Sequence, residues 1–406
     1  MPASIETVRS HFPALQRKHN GHAVAYFDGP GGTQVPQQVI DAVANYLANH
    51  NANTHWGYLT SNETDSIIAD ARQAAADFLN ATPDEICFGP NMTSLTFHVS
   101  RTLGRQWGTE DAVVVTELDH HANVDPWRAL ERERGVTVLT ARMIPETGQL
   151  DWDHLEHLMS DRTRLLAIGA ASNALGTIND VARACRLAHA VGAYSYVDAV
   201  HYAPHELVDV NEFDCDFLAC SAYKFYGPHM GLLYARKHLL ESLDFPKLQP
   251  APDHAPVRAE TGTQNHEGIA GVCAAIDFLA SLTDEGETRR ERLKCVYQTL
   301  KERGEAQLRR LWESLDAIEG VTVHEPGPDE HRTPTLSLSV EGIPAAEVSL
   351  RLAETGLLLS HGDYYASTAI ERLGMSEEGL VRVGCACYTS DEEVERVIEG
   401  VRGLAS

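Results

Sequence analysis

Cys-Ser-Ala-Tyr-Lys-Phe-Tyr-Gly-Pro, residues 220–228, follows the run Asp216–Ala219 and sets Lys224 between aromatic neighbours. A lysine is ordinarily a solvated surface charge, and a strand end suits that reading. Partial burial gives it a second use, because a lysine that loses its proton can attack a carbonyl. Upstream, Tyr-Ser-Tyr-Val-Asp-Ala-Val-His at 194–201 is another strand-like stretch and carries Asp198 at its end. A lysine for an aldehyde and an acid for a pyridinium nitrogen are what pyridoxal phosphate asks of a protein. The pair points to that cofactor.

Outward from this pair the chain alternates strand and helix. Strands are expected at Glu85–Phe88, Ala112–Leu118, Val136–Met143, Arg164–Ala170 and Gly231–Arg236, with helices at Leu150–Met159 and Asp180–Val191. The alternation predicts an α/β fold, a mostly parallel sheet with helices on both faces. Ligands of such sheets bind beyond the carboxyl ends of the strands. His120, Asn173, Asp198 and Lys224 each sit at or just past such an end, so four separate segments converge on one edge. Gly-Pro-Asn-Met-Thr-Ser-Leu-Thr at 89–96 turns into a helix. Its Met92, Thr93 and Ser94 are candidate first-turn anion donors, a plain capping segment being the other reading. Gly-Pro-Gly-Gly at 29–32 marks a loop but lacks the glycine pattern of a phosphate-binding loop. The polar 51–57 loop, with His55 and Trp56, is of the kind that lines a cleft.

A chain of 406 residues is long enough for two domains. Its net charge of −25 argues against nucleic acid or an anionic membrane as partner. No apolar run reaches transmembrane length, and the first ten residues lack a signal core. Eight scattered cysteines form neither a disulfide framework nor a zinc pattern, so a reduced cytoplasmic setting is expected. The twenty histidines show no metal-binding spacing. The polar stretch 283–288 divides the chain. We expect a segment 1–25 that packs with the small domain, a large cofactor domain over 26–284 and a small α+β domain over 285–406. The long helix Arg289–Leu315 enters the last of these.

Six motifs carry a resemblance that runs from Tyr26 to about Val401. They are Asp-His-His-Ala-Asn-Val-Asp-Pro-Trp (119–127), Ser-Asn-Ala-Leu-Gly-Thr (172–177), Val-Asp-Ala-Val-His (197–201), the 215–228 stretch around Lys224, Glu-Thr-Gly-Thr-Gln-Asn (260–265) and Val-Arg-Val-Gly-Cys-Ala-Cys-Tyr (381–388). Together they resemble the class V aminotransferase superfamily, in its cysteine desulfurase and selenocysteine lyase branch. The resemblance implies fold type I, with a seven-stranded sheet, and pyridoxal phosphate as cofactor. It implies that Lys224 bonds the cofactor, Asp198 protonates its ring nitrogen and His120 stacks on the ring. Asn173 would lie beside the phenolic oxygen and the substrate. Met92, Thr93, Ser221 and His201 match phosphate-side positions, and Thr263 matches a residue reaching the phosphate of a partner subunit, hence a homodimer. Arg382 would clamp the substrate carboxylate, with Asn173 and His55 nearby.

Three departures stand out. His201 replaces a usual glutamine, and Tyr223 a usual histidine. The third concerns the nucleophilic cysteine that desulfurases of this branch carry on a small-domain loop. The matching stretch here is Ser-His-Gly-Asp-Tyr-Tyr-Ala-Ser-Thr, 360–368, with Tyr365 at the cysteine position. A phenol cannot hold sulfur as a persulfide. Cys385, Cys387 and Cys220 lie near the motifs, but cysteines in strands are ordinarily packing residues. The expected function is a C–S or C–Se lyase acting on L-cysteine or a related amino acid. An aminotransferase or amino-acid epimerase is the alternative, with Tyr364, Tyr365 or His361 as acid. A non-catalytic scaffold is the third reading, and docking of a sulfur-accepting protein is left open.

Overall fold

In the computed structural model, which describes residues 3–405, the strands around Lys224 form one seven-stranded sheet. Its order is Ile86–Gly89, Gly231–Ala235, Phe217–Ser221, Tyr194–Asp198, Thr163–Gly169, Ala112–Thr116, Thr137–Ala141. Gly231–Ala235 runs antiparallel to both neighbours, and the other pairs are parallel. Ala112–Thr116, Phe217–Ser221 and Gly231–Ala235 are buried at every position. This explains why they read as near-continuous apolar runs instead of alternating ones. Successive residues feed opposite cores: Val114, Leu166, Val197 and Leu218 on one face, Val113, Leu165, Tyr196 and Phe217 on the other.

Helices cover both faces, and local chemistry sets where they start. Asp180 accepts from Arg183 N at 2.9 Å to begin Val181–Ala190, and Asn265 accepts from Gly268 N at 2.8 Å to begin His266–Ser281. Thr288 and Glu291 form a reciprocal cap at the start of Arg289–Asp316. In the N-terminal segment Ile5–Ser10 is helical, and a separate 3-10 turn covers Pro13–Gln16. Pro13 has no N–H to continue the ladder.

A second sheet is wholly antiparallel, in the order Val321–Val323, Thr335–Val340, Leu380–Gly384, Ser360–Gly362. Leu336, Leu338, Val381 and Val383 pack there against Leu308 and Leu311 of the long helix and Val397 and Val401 of Asp391–Ala405. Two isolated bridges join its flanks to loops outside it: Asp28 pairs with Gly384 and Thr177 with Arg332. The N-terminal segment touches both bodies. Phe12 packs edge-on against Tyr226, Phe278 and Tyr388 at 5.8, 5.3 and 4.9 Å. Strand Ala25–Tyr26 pairs with Leu357–Leu358. Among the described residues no helix is long and apolar enough to cross a membrane.

Candidate active site

The carboxyl ends of the parallel strands open on a cavity of about 960 Å³. His120, Asn173, Asp198 and Lys224 all line it, as the strand ends predict. Asp198 is the last residue of its strand and 7% exposed. Burial raises its carboxyl to about 6, held from rising further by the Val200 N–H at 2.8 Å and the Lys224 charge. Lys224 ends the 3-10 turn that follows Phe217–Ser221. Burial and then the Arg382 charge push its amine down to about 7, against the opposing pull of Asp198 and Asp28. The amine donates to the Pro30 carbonyl, so the 29–32 loop closes over it.

His120 accepts from Ala122 N at 2.9 Å through Nδ1, which leaves the ring proton on Nε2. Burial and the Lys224 charge push it down to about 4, so the imidazole is neutral. At the start of the Met92–Gly104 helix, Met92 N donates to Ser221 Oγ at 2.9 Å and Ser94 N to Asn91 Oδ1 at 2.9 Å. Thr93, beside Met92 in the first turn of the same helix, lines the cavity. His201, 3% exposed, meets Thr333 Oγ1 at 3.1 Å through Nε2, and burial keeps it neutral.

Arg382 sits at 3% exposure on strand Leu380–Gly384, beneath the Tyr364 ring at 4.1 Å. Its Nη1 donates to Asn173 O at 2.8 Å and its Nε to Ser360 Oγ at 3.2 Å. Nη2 and the second Nη1 hydrogen remain for a carboxylate. Asn173 gives Nδ2 to Tyr364 O at 2.9 Å, and its Oδ1 is buried without a partner. Tyr365 lines the cavity at 73% exposure, its ring 5.5 Å from that of His120, and its carbonyl accepts from His121 N at 2.7 Å.

Not every expected residue reaches the cavity. His55 is exposed and pairs with Asp65 at 3.1 Å, outside the lining. His361 is exposed on an edge strand, also outside it. Thr263 is exposed and borders a neighbouring cavity of about 600 Å³. None of the eight cysteines lines the catalytic cavity. Burial pushes the Cys385 and Cys387 thiols up to about 12, which disqualifies them as ready nucleophiles.

Two acids escaped the sequence reading. Asp119 is buried in the lining, and burial together with neighbouring Asp198 raises it to about 8. Asp28 has a buried, unpartnered Oδ1 and feels both Arg382 and Lys224. Asp119 lies inside a quoted motif, and Asp28 directly precedes the quoted 29–32 loop, which is all that could have flagged them. The donor set fits pyridoxal phosphate: a low-lying amine, a buried carboxylate, a flat neutral ring, a helix start at Thr93 beside the Ser221 hydroxyl, and an orphaned Asn173 oxygen.

A model of the aminotransferase class-V family matches residues 25–397. A cysteine desulfurase of Pectobacterium carotovorum is 32% identical over 422 aligned positions, covering 100% of this chain and 98% of that protein. One of Haloferax volcanii is 27% identical, covering 98% and 96%. Among solved structures, the apo cysteine desulfurase of Thermococcus onnurineus superposes with a TM-score of 0.89 at 26% identity, covering 100% of this chain and 98% of that one. A cysteine desulfurase of Escherichia coli gives 0.85 at 25% identity, covering 98% and 97%.

Proposed function

The chain belongs to the class-V aminotransferase family of pyridoxal-phosphate enzymes, and from that premise we propose that it is a cysteine desulfurase-like C–S lyase acting on L-cysteine or a related sulfur or selenium amino acid. The observation that carries the reading is the cavity lining, which holds Tyr365 and no cysteine. Transfer of sulfur to the protein needs a thiolate, and none is at hand. Elimination needs none: L-cysteine and water give pyruvate, ammonia and hydrogen sulfide, the Cβ–S electron pair leaving on sulfur.

Bound pyridoxal phosphate supplies the electron sink for the pair left when Cα loses its proton. The chain's own groups do the rest. Lys224 would hold the cofactor at its aldehyde, and its free amine, lowered to about 7, is neutral enough near pH 7 to accept the Cα proton. Asp198 holds a proton on the ring nitrogen, and neutral His120 offers the ring a face free of charge. Thr93 N–H and Ser221 meet the phosphate. Arg382 fixes the substrate carboxylate with its two remaining donor positions and so orients the Cα–H bond.

Three further parts belong to the reading. A homodimer accounts for Thr263 standing outside its own chain's cavity and for exposed Trp56, Tyr58 and Leu59, at 61, 50 and 72%. The division at 284/285 is supported by the polar link between His266–Ser281 and Arg289–Asp316. A cytoplasmic setting is supported by the eight unpaired cysteines. The Tyr365 phenol, a proton donor at the cavity wall, favours an aminotransferase or epimerase as second reading.

The test is product analysis after incubating cofactor-loaded protein with L-cysteine and a reductant. Pyruvate, ammonia and sulfide in equal amounts are expected. Alanine with sulfide overturns the elimination reading, and a keto acid without sulfide supports transamination.

A further inference from the structure

A smaller void lies where three parts of the fold meet. Pro204 and His205 reach it from beyond the Asp198 strand, Arg303 from the long helix, and Arg332 and Cys387 from the small-sheet side. Its volume is about 30 Å³. A single water needs about 10–15 Å³ on this measure, so one compact ion or two waters fill it.

Its charges are unusual. Arg332 is 5% exposed and borders this void and none of the three larger cavities. Its Nη2 donates to Leu175 O at 2.7 Å and Thr335 O at 2.6 Å, while Nε and Nη1 are buried with no partner. Arg303 gives Nη2 to the Cys387 carbonyl. Neither arginine forms an ion pair among the described residues. The nearby acids are otherwise engaged or turned to solvent. Glu206 meets Lys301 at 2.7 Å and His331 at 3.6 Å, and Glu305 is exposed. Glu325 acts on Arg332 without touching it. A guanidinium with two orphaned donor nitrogens and no ion-pair partner is unfavourable in a buried place. A second guanidinium at the same void makes it more so.

We propose that this void is a binding site for one small monovalent inorganic anion of halide size, held between Arg332 and Arg303. A volume of about 30 Å³ suits a halide better than sulfate, phosphate or a carboxylic acid. The ion would join the two bodies of the molecule. Arg332 precedes the Thr335–Val340 strand, and Cys387 N donates to Tyr226 Oη at 2.9 Å, two residues from Lys224. An anion here therefore braces the Arg382 strand against the Lys224 segment from behind, independently of what occupies the catalytic cavity.

The test uses bromide as probe on the cofactor-loaded protein. Crystals soaked in sodium bromide should show one anomalous peak in the void, within hydrogen-bond reach of both guanidinium groups. In Arg303→Gln its occupancy should fall at least tenfold. In solution, Tm should be higher in bromide than in gluconate at equal ionic strength, since gluconate is too large to enter and only bound ligand stabilises. Arg303→Gln should abolish that difference. Arg332→Gln should do the same, and if it does not fold, Arg303→Gln decides alone. Water without anomalous signal in the void, bromide on the surface only, or a Tm difference unchanged in Arg303→Gln overturns the proposal.

Discussion

Capture of pyridoxal phosphate by the cofactor-free protein should depend on pH in a way that ordinary lysine chemistry does not. The Lys224 amine is lowered from 10.5 to about 7, first by burial and then by Arg382. At about pH 7.5, roughly three quarters of such amines are neutral, against roughly one in a thousand of unperturbed lysines. The gain in reactive amine is therefore between about 10² and about 10³. A protonated amine cannot attack, so the capture rate should fall as pH drops through about 7 and be level above about 8. Stopped-flow absorbance in the visible band, followed over about pH 5.5–10, reads the midpoint directly. Charge changes then fix the sign. Arg382→Gln removes a repelling cation and should raise the midpoint by about one unit. Asp198→Asn and Asp28→Asn remove anions that favour the protonated amine, and each should lower it. A wild-type midpoint near 10, or an Arg382→Gln shift downward, refutes the account of this site.

The same proton has a thermodynamic consequence. Between about 7 and 10.5 the unfolded chain keeps the Lys224 proton and the folded chain does not, so this group's contribution to stability rises with pH. From about pH 7 to about pH 9 the cofactor-free protein should gain about 2–3 kcal/mol in urea melts, relative to Lys224→Met measured alongside. Arg382→Ala should raise KM for an α-amino acid by about tenfold or more, with kcat affected less, as steady-state kinetics on the loaded enzyme will show. Tyr365→Cys should make alanine and a protein persulfide appear with L-cysteine, detectable by mass spectrometry, where wild type makes neither.

The site was legible to the extent that topology placed it. Lys224, Asp198, Asn173 and His120 follow strands buried on both faces, and such strands announce themselves as apolar runs. Once those are parallel, their ends share an edge without any knowledge of contacts. Arg382 came from the motif resemblance, since nothing local distinguishes a buried arginine on a strand. His55 and His361 mark the limit. Each lies on a segment of the expected kind, but a loop's lateral position and the face of a two-sided edge strand depend on tertiary packing that one sequence does not reveal. The Asp125–Arg134 helix was missed because Asp-Pro-Trp-Arg-Ala-Leu-Glu-Arg-Glu-Arg is mostly polar, although Trp127 and Leu130 are buried. Asp28 and Thr333 reach the site from stretches far apart in the chain, with no signal beyond a loop glycine or a proline.

Tyr364 and Tyr365 both adopt φ +56°, a left-handed conformation that side chains other than glycine disfavour by about 1–2 kcal/mol each. What holds them there is main chain: the Tyr364 carbonyl takes Asn173 Nδ2, and the Tyr365 carbonyl takes His121 N. None of these holds consults the side chain at 365. The position therefore behaves as a socket, its backbone clamped to the opposite wall of the cavity while its occupant can be exchanged. A single codon change there can alter which atom meets the departing sulfur without having to rebuild the loop that presents it. By the same logic, removing the clamp at Asn173 would disturb whatever residue the socket holds, thiol or phenol alike.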